Sequence, residues 1–274
     1  MKPIDFDAKL RSYLETWMKE NAGKYRDVDE MESHVADAFA SFADTRWDWL
    51  DGQSPTEYFD SLTDANALVQ GLIDYECAGM DAPDLMLSRI CALGSDAVEP
   101  LIALLRDENA KEALRVTAIN LLTSLQAQSA MADCFELIDK ESPLMDVAAE
   151  LLSSLGETAV PGMMERLETA KKRALIIYLD LLCNFPGPEC IYHYTEREFV
   201  NNPSDRALYA SLLGRLGDPR AIEILQRVGA MEDTNYLDAL EIANAIEMLG
   251  GDAPLRDRDF SGDPYYESLR QLES

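Results

Sequence analysis

Residues able to do chemistry are scarce in this chain. Histidine occurs twice, at His34 and His193. His193 lies in Cys190-Ile191-Tyr192-His193-Tyr194-Thr195-Glu196-Arg197-Glu198. Side chains three apart share a helix face, so Cys190, His193 and Glu196 are the closest approach to a metal set. One histidine in an irregular stretch falls short of a ligand constellation, and no metal ligand is assigned. Nucleophilic catalysis needs a Ser or Cys activated by a base. No G-x-S-x-G context is present, and neither a P-loop nor G-x-G-x-x-G occurs. Carboxylate pairs abound in so acidic a chain and discriminate nothing. We therefore assign no catalytic residue and no cofactor, and expect a binding protein rather than an enzyme. The residues left as candidates for contact with a partner are aromatic or cationic: Trp47, Trp49, Tyr192, His193, Tyr194, Arg115, Lys172, Arg173 and Arg206.

Charge narrows the partner. Lys and Arg total 24 against 51 Asp and Glu, a formal net charge of −27. Affinity for nucleic acid rests on neutralising phosphates with Lys and Arg, and anionic membranes attract basic segments, so neither is an expected partner. A protein partner, basic if charge steers it, fits better. The acidity also serves plain solubility. Residues 1–10 lack the apolar core of a secretory signal. The most apolar stretch, residues 174–183, is interrupted by Asp180 and is too short to span a bilayer. Five scattered cysteines without a C-x-x-C read as reduced, buried thiols. The expected setting is cytoplasmic.

The elements that must position these side chains are helices. Residues 1–62 hold ten of the 22 aromatics, including all three tryptophans. Apolar spacing predicts helices over about 5–21 and 28–43. Residues 47–52 follow as a turn, and a helix then opens on Ser54-Pro55-Thr56-Glu57, a capping-box pattern. From residue 63, apolar-periodic stretches end on Leu93-Gly94, Leu125-Gln126, Leu155-Gly156, Phe185-Pro186-Gly187, Leu216-Gly217 and Leu249-Gly250, spaced 32, 30, 30, 31 and 33 residues apart. Glycine suits the left-handed residue that closes a helix. Each interval holds two helices of roughly 17–22 Å, marginal alone in water, so the units must stack to bury their stripes. The stripes include Leu114/Ala118/Leu121/Leu122, Val147/Ala148/Leu151/Leu152, Leu208/Leu212/Leu213 and Leu237/Leu240/Ala243/Ile246. Ser142-Pro143, Asn202-Pro203 and Asp218-Pro219 read as helix starts. No strand is predicted.

The units resemble HEAT-like repeats of the short bacterial kind found in phycobilin-lyase-type proteins. The resemblance rests on Ala97, Val98, Pro100 and Leu101, on Ala159-Val160-Pro161, on Asp218-Pro219-Arg220-Ala221-Ile222, and on the terminal Leu-Gly pairs. It covers about residues 64–250. It implies an all-α fold, an α-α superhelix or right-handed solenoid: an aromatic helical cap over residues 1–62, six helix pairs over 63–250 and a tail over 251–274. Tyr192, His193, Tyr194 and Phe199 depart from the small aliphatics usual in such units. Family likeness at this level gives architecture rather than chemistry. It implies a scaffold that binds a protein on its concave face; the alternative is a lyase-like enzyme or carrier with a small-molecule pocket, between the cap and the first repeats or near Tyr192, His193 and Tyr194. The cap aromatics either bind or only cover the end of the stack. Arg115 and Arg206 stand ten residues before Leu125 and Leu216, and Lys172 and Arg173 open the matching helix of another unit. Together they form a cationic ladder or, as is commoner in such repeats, pair with acids of adjacent repeats, with Lys171-Lys172 a solvated helix start.

Overall fold

The computed structural model describes residues 2–21, 23–25, 27–185, 189–253 and 258–272, and of Val28 only the backbone. Among them the chain is all-α, with no β-strand and a single isolated bridge between Trp47 and Gln53. It divides into two compact units, residues 1–137 with 143–155, and residues 138–142 with 156–274.

The first unit opens with α1 (Phe6–Asn21), α2 (Val28–Ser33) and α3 (Val35–Asp44). The one helix predicted over 28–43 is thus two. His34 breaks it, with φ −99° and ψ 2°, capping α2 with its backbone and stacking on Tyr25 at 4.9 Å. A 3-10 turn at Asp48–Leu50 leads to α4 (Pro55–Asp60). There the predicted capping box forms: Glu57 N–H donates to Ser54 Oγ, and Ser54 N–H to the Glu57 carboxylate. Next come α5 (Ala65–Cys77), α6 (Asp84–Ala92), α7 (Ser95–Arg106), α8 (Glu112–Ser124) and α10 (Met145–Ser154), with α9 (Met131–Asp139), whose last two residues belong to the second unit, preceding the last. Helix α1 packs on α3, α3 on α4 and α4 on α6; α5 packs on α7 and α8, and α8 on α6, α7 and α10. Helices α5 and α8 thus each meet helices one and two places away in the chain. Met86, Ile90, Leu101, Leu105, Ala118 and Leu122 are fully enclosed between these layers.

The N-terminal segment is pinned to this stack from a distance. The buried Tyr75 hydroxyl donates to the Ile4 carbonyl at 3.0 Å and accepts the Ile4 N–H at 3.2 Å. Satisfying both backbone groups of one residue is what a strand partner does.

The second unit holds α11 (Val160–Arg166), α12 (Lys172–Leu182), α13 (Glu189–Asn201), α14 (Arg206–Leu216), α15 (Ala221–Gly229), α16 (Tyr236–Met248) and α17 (Pro264–Leu272). Helix α13 packs on α12, α14 and α15, while α16 packs on α14, α15 and α17. Around the last contact Tyr236 meets Tyr266 at 5.1 Å and Phe260, just before α17, at 5.3 Å, so the C-terminal segment docks on α16. Helices α14 and α16 approach closely: a Cβ on Gly214 would stand 3.0 Å from the Ala245 Cα.

Several helix closures match the sequence pattern. Gly94, Gly156, Gly217 and Gly250 have positive φ, and so does Gln126 at 48°, in the place glycine takes elsewhere. Phe185-Pro186-Gly187 falls outside the described residues beyond Phe185. Starts match less well. Helix α10 begins at Met145 rather than beside Ser142, and α15 at Ala221, with Asp218 accepting the Arg220 N–H in a local turn. Pro203 opens a 3-10 turn, and Asn202 gives it no side-chain cap. Leu208 and Leu237, predicted in the apolar stripes, are exposed. Leu237 sits on the far side of its helix from the buried arc that Ile242 and Ile246 define, whereas Leu208, one turn before Leu212, lies at the edge of the buried arc of α14.

The five cysteines are free thiols. Cys134 and Cys183 are buried, and burial pushes both thiols up to about 12.

Candidate functional site

Ion pairs between cations and acids distant in the chain fall at separations of 27 to 35 residues. In the first unit Arg106 grips Asp133, 27 residues on, with Nη2 donating to Oδ2 at 3.0 Å, and Lys111 pairs with Glu76, 35 residues back. In the second, Arg166 Nε donates to Asp139 at 3.0 Å, and Arg220 Nη1 to Glu189 at 2.7 Å, 31 residues back. Arg215 pairs with Asp180. The Tyr178 hydroxyl joins one such pair, donating to Asp139 at 2.7 Å. The Arg220 guanidinium holds the Glu189 and Asp218 carboxyls below their ordinary range.

Each of the four cationic candidates has its own surroundings. Arg115 Nε donates to the Leu105 carbonyl at 2.8 Å. Lys172 pairs with Asp205, 33 positions on. Arg173 is exposed, its backbone N–H donating to the Glu141 carboxylate at 3.3 Å. Arg206 has a side chain only 6 % exposed and donates through Nη2 to Asp233 at 3.2 Å. Its Nε is buried without a partner among the described residues.

Tyr192, His193 and Tyr194 diverge around α13. Tyr192 is buried; its hydroxyl donates to Glu196 at 3.1 Å, and the Arg220 guanidinium covers its ring at 4.7 Å. His193 points outward between Glu189 and Glu196, at 3.8 and 3.7 Å. Tyr194 carries the Arg197 guanidinium on its ring at 4.7 Å. Among the described residues no group of three His, Cys, Asp or Glu side chains is placed to hold a metal.

Trp47 and Trp49 do converge. Their rings stack at 6.2 Å, and Phe42 and Tyr13 close on Trp47 at 5.5 and 5.7 Å. Two forces fix this geometry: the bridge from Trp47 to Gln53 turns the chain, and the Trp47 indole N–H donates to the Phe42 carbonyl at 3.1 Å. These rings floor an open cleft of about 400 Å³. Lys9, Ser12 and Thr16, one face of α1, form its wall. The Lys9 ammonium lies over the Trp49 ring at 5.4 Å. The cleft lies within the cap rather than between cap and repeats.

A second groove, of about 520 Å³, runs between α6 and α8. Ser88, Cys91, Thr117, Asn120 and Ser124 line it with Leu87 and Leu121, and none is charged. The sequence signal was there in the short polar residues at helical spacing, but only the packing of α6 on α8 makes a groove of them.

A scan against protein-family models finds no match, and a search of curated proteins finds none either.

Proposed function

We propose that the chain is a non-enzymatic scaffold built of HEAT-like helix pairs, and that the face formed by its second helices binds a protein partner. In support of the repeat architecture stand the packing of α5 on α6 and α7, of α8 on α6, α7 and α10, of α13 on α14 and α15 and of α16 on α14 and α15, and the ion pairs linking positions about one repeat apart. The observation that carries the binding role is the uncharged groove between α6 and α8. In a chain of which 27 % is charged, such a strip can be dried by a partner without stranding an ion. The remaining surface carries an excess of carboxylates, so the partner is basic outside the contact and is drawn in by charge. No helix among the described residues is long and apolar enough to cross a membrane, and five free thiols suit a cytoplasmic setting.

The test is affinity capture from the native host's lysate with elution by rising salt, followed by titration of the purified candidate. The expected result is one basic protein, released as salt screens the charges, whose affinity falls at least tenfold when Asn120→Arg places a cation in the groove. A small molecule co-purifying in place of any protein overturns the proposal, as does binding indifferent to Asn120→Arg.

A further inference from the structure

We infer that the aromatic cleft of the first unit is a docking site for a proline-rich segment of a partner protein, separate from the groove between α6 and α8. The argument starts from what the cleft offers. Its floor is aromatic, with Trp47, Trp49, Tyr13 and Phe42 in mutual contact. Its polar side-chain ends are N–H and O–H groups, and no carboxylate lines it.

Some of these donors are already occupied. The Trp47 indole serves Phe42, and the Thr16 hydroxyl donates to the Ser12 carbonyl at 3.0 Å. The Tyr13 hydroxyl and the Trp49 indole N–H make no hydrogen bond among the described residues, and the Lys9 ammonium has only the Trp49 ring. Lys9 thus leaves a cation at the rim of the rings for an acceptor on a ligand.

The complement of such a surface is a ligand with flat apolar faces, many acceptors and few donors. A polyproline II segment has that chemistry. Its rings stack on aromatics, its carbonyls accept, and proline has no N–H to strand. Aromatic-lined grooves recognise such segments because the extended helix is preformed and loses little entropy on binding. The cleft is open, as a passing chain requires, whereas a small ligand is usually enclosed. Lys9 favours a carboxylate at one flank of the segment.

The test is titration of the full chain with a blocked proline decamer, followed by tryptophan emission, since two of the three tryptophans line the cleft. A glycine-serine peptide of equal length is the control. We expect a saturable change with the proline peptide alone. Ser12→Arg is a substitution at an exposed position of α1 and should weaken binding at least tenfold by filling the wall. Tyr13→Phe keeps the ring and should weaken it about threefold to tenfold, the worth of one hydrogen bond; circular dichroism confirms that both variants fold. No saturation by the proline peptide overturns the inference. So does equal response to the glycine-serine peptide, or binding unaffected by Ser12→Arg. Saturation by indole-3-acetate without any by the proline peptide would assign the cleft to a small aromatic acid instead. None of these readouts depends on the groove between α6 and α8.

Discussion

Asp238 is 6 % exposed and sits at the third position of α16. Its carboxylate accepts the Ala207 N–H at 3.2 Å and the Asn235 amide at 2.8 Å. Burial nevertheless raises its pKa, outweighing the lowering by the Ala207 hydrogen bond and by Arg206. Between the unfolded value and the raised folded one, the folded protein binds more protons at Asp238 than the unfolded chain does. Stability from this group is fullest below the unfolded value, near 3.8, and is lost as pH rises through the folded value. Asn at this position keeps an acceptor for Ala207 and does not ionise. Asp238→Asn should therefore gain on the native protein as pH rises from about 4 to about 7. Urea titrations at both ends measure this, and a difference that stays flat with pH would refute it. In the sequence Asp238 is one acid among many. Its partner Ala207 lies 31 residues earlier, and no local pattern carries that distance. Arg206 shows the limit from the other side: its place in the repeat was readable, but its burial was not.

Helices were the most legible level. Spacing of apolar residues located them, and the Leu-Gly endings marked where they close. The capping box at Ser54 and Glu57 was readable because it is a contact between residues three apart. The misses share one cause. His34, Leu208 and Leu237 obey rules of sequence spacing, but the neighbouring helix decides which turn is broken and which face is covered. The tight crossing of α14 on α16 is of this kind, since only the crossing makes Gly214 necessary. Gly214→Val would thrust its side chain against the Ala245 backbone, 3.0 Å from where a Cβ must stand. Such overpacking costs about 1–3 kcal/mol. The urea midpoint of the variant should fall accordingly. An unchanged midpoint would mean that the two helices separate freely.

At the scale of the molecule, charge is the dominant quantity. With 51 acidic against 24 basic side chains, pairing every cation still leaves carboxylates repelling one another. The exposed ion pairs between residues about 27–35 positions apart contribute about 0–1 kcal/mol each, and salt weakens them too. The repulsion is the larger sum, so Tm should rise between low salt and about 0.5 M sodium chloride, where the Debye length is only a few ångströms. A Tm that falls would show that the ion pairs outweigh the repulsion. The spacing of the helix endings was visible in the sequence because glycine, or Gln126 in its place, closes them with a positive φ. The division into two units was not, because residues 138–142 associate with the second unit while 143–155 belong to the first. The cleft at Trp47 and Trp49 was half visible: the aromatic clustering announced it, and the unsatisfied donors around it did not.

The buried thiols have a practical consequence. Cys134 belongs to one unit and Cys183 to the other, and both are shielded and protonated at neutral pH. An alkylating dye reaches either sulfur only when its surroundings open. Mass spectrometry of the two labelled peptides over time would thus clock the breathing of each unit separately, in the native sequence and without an introduced probe.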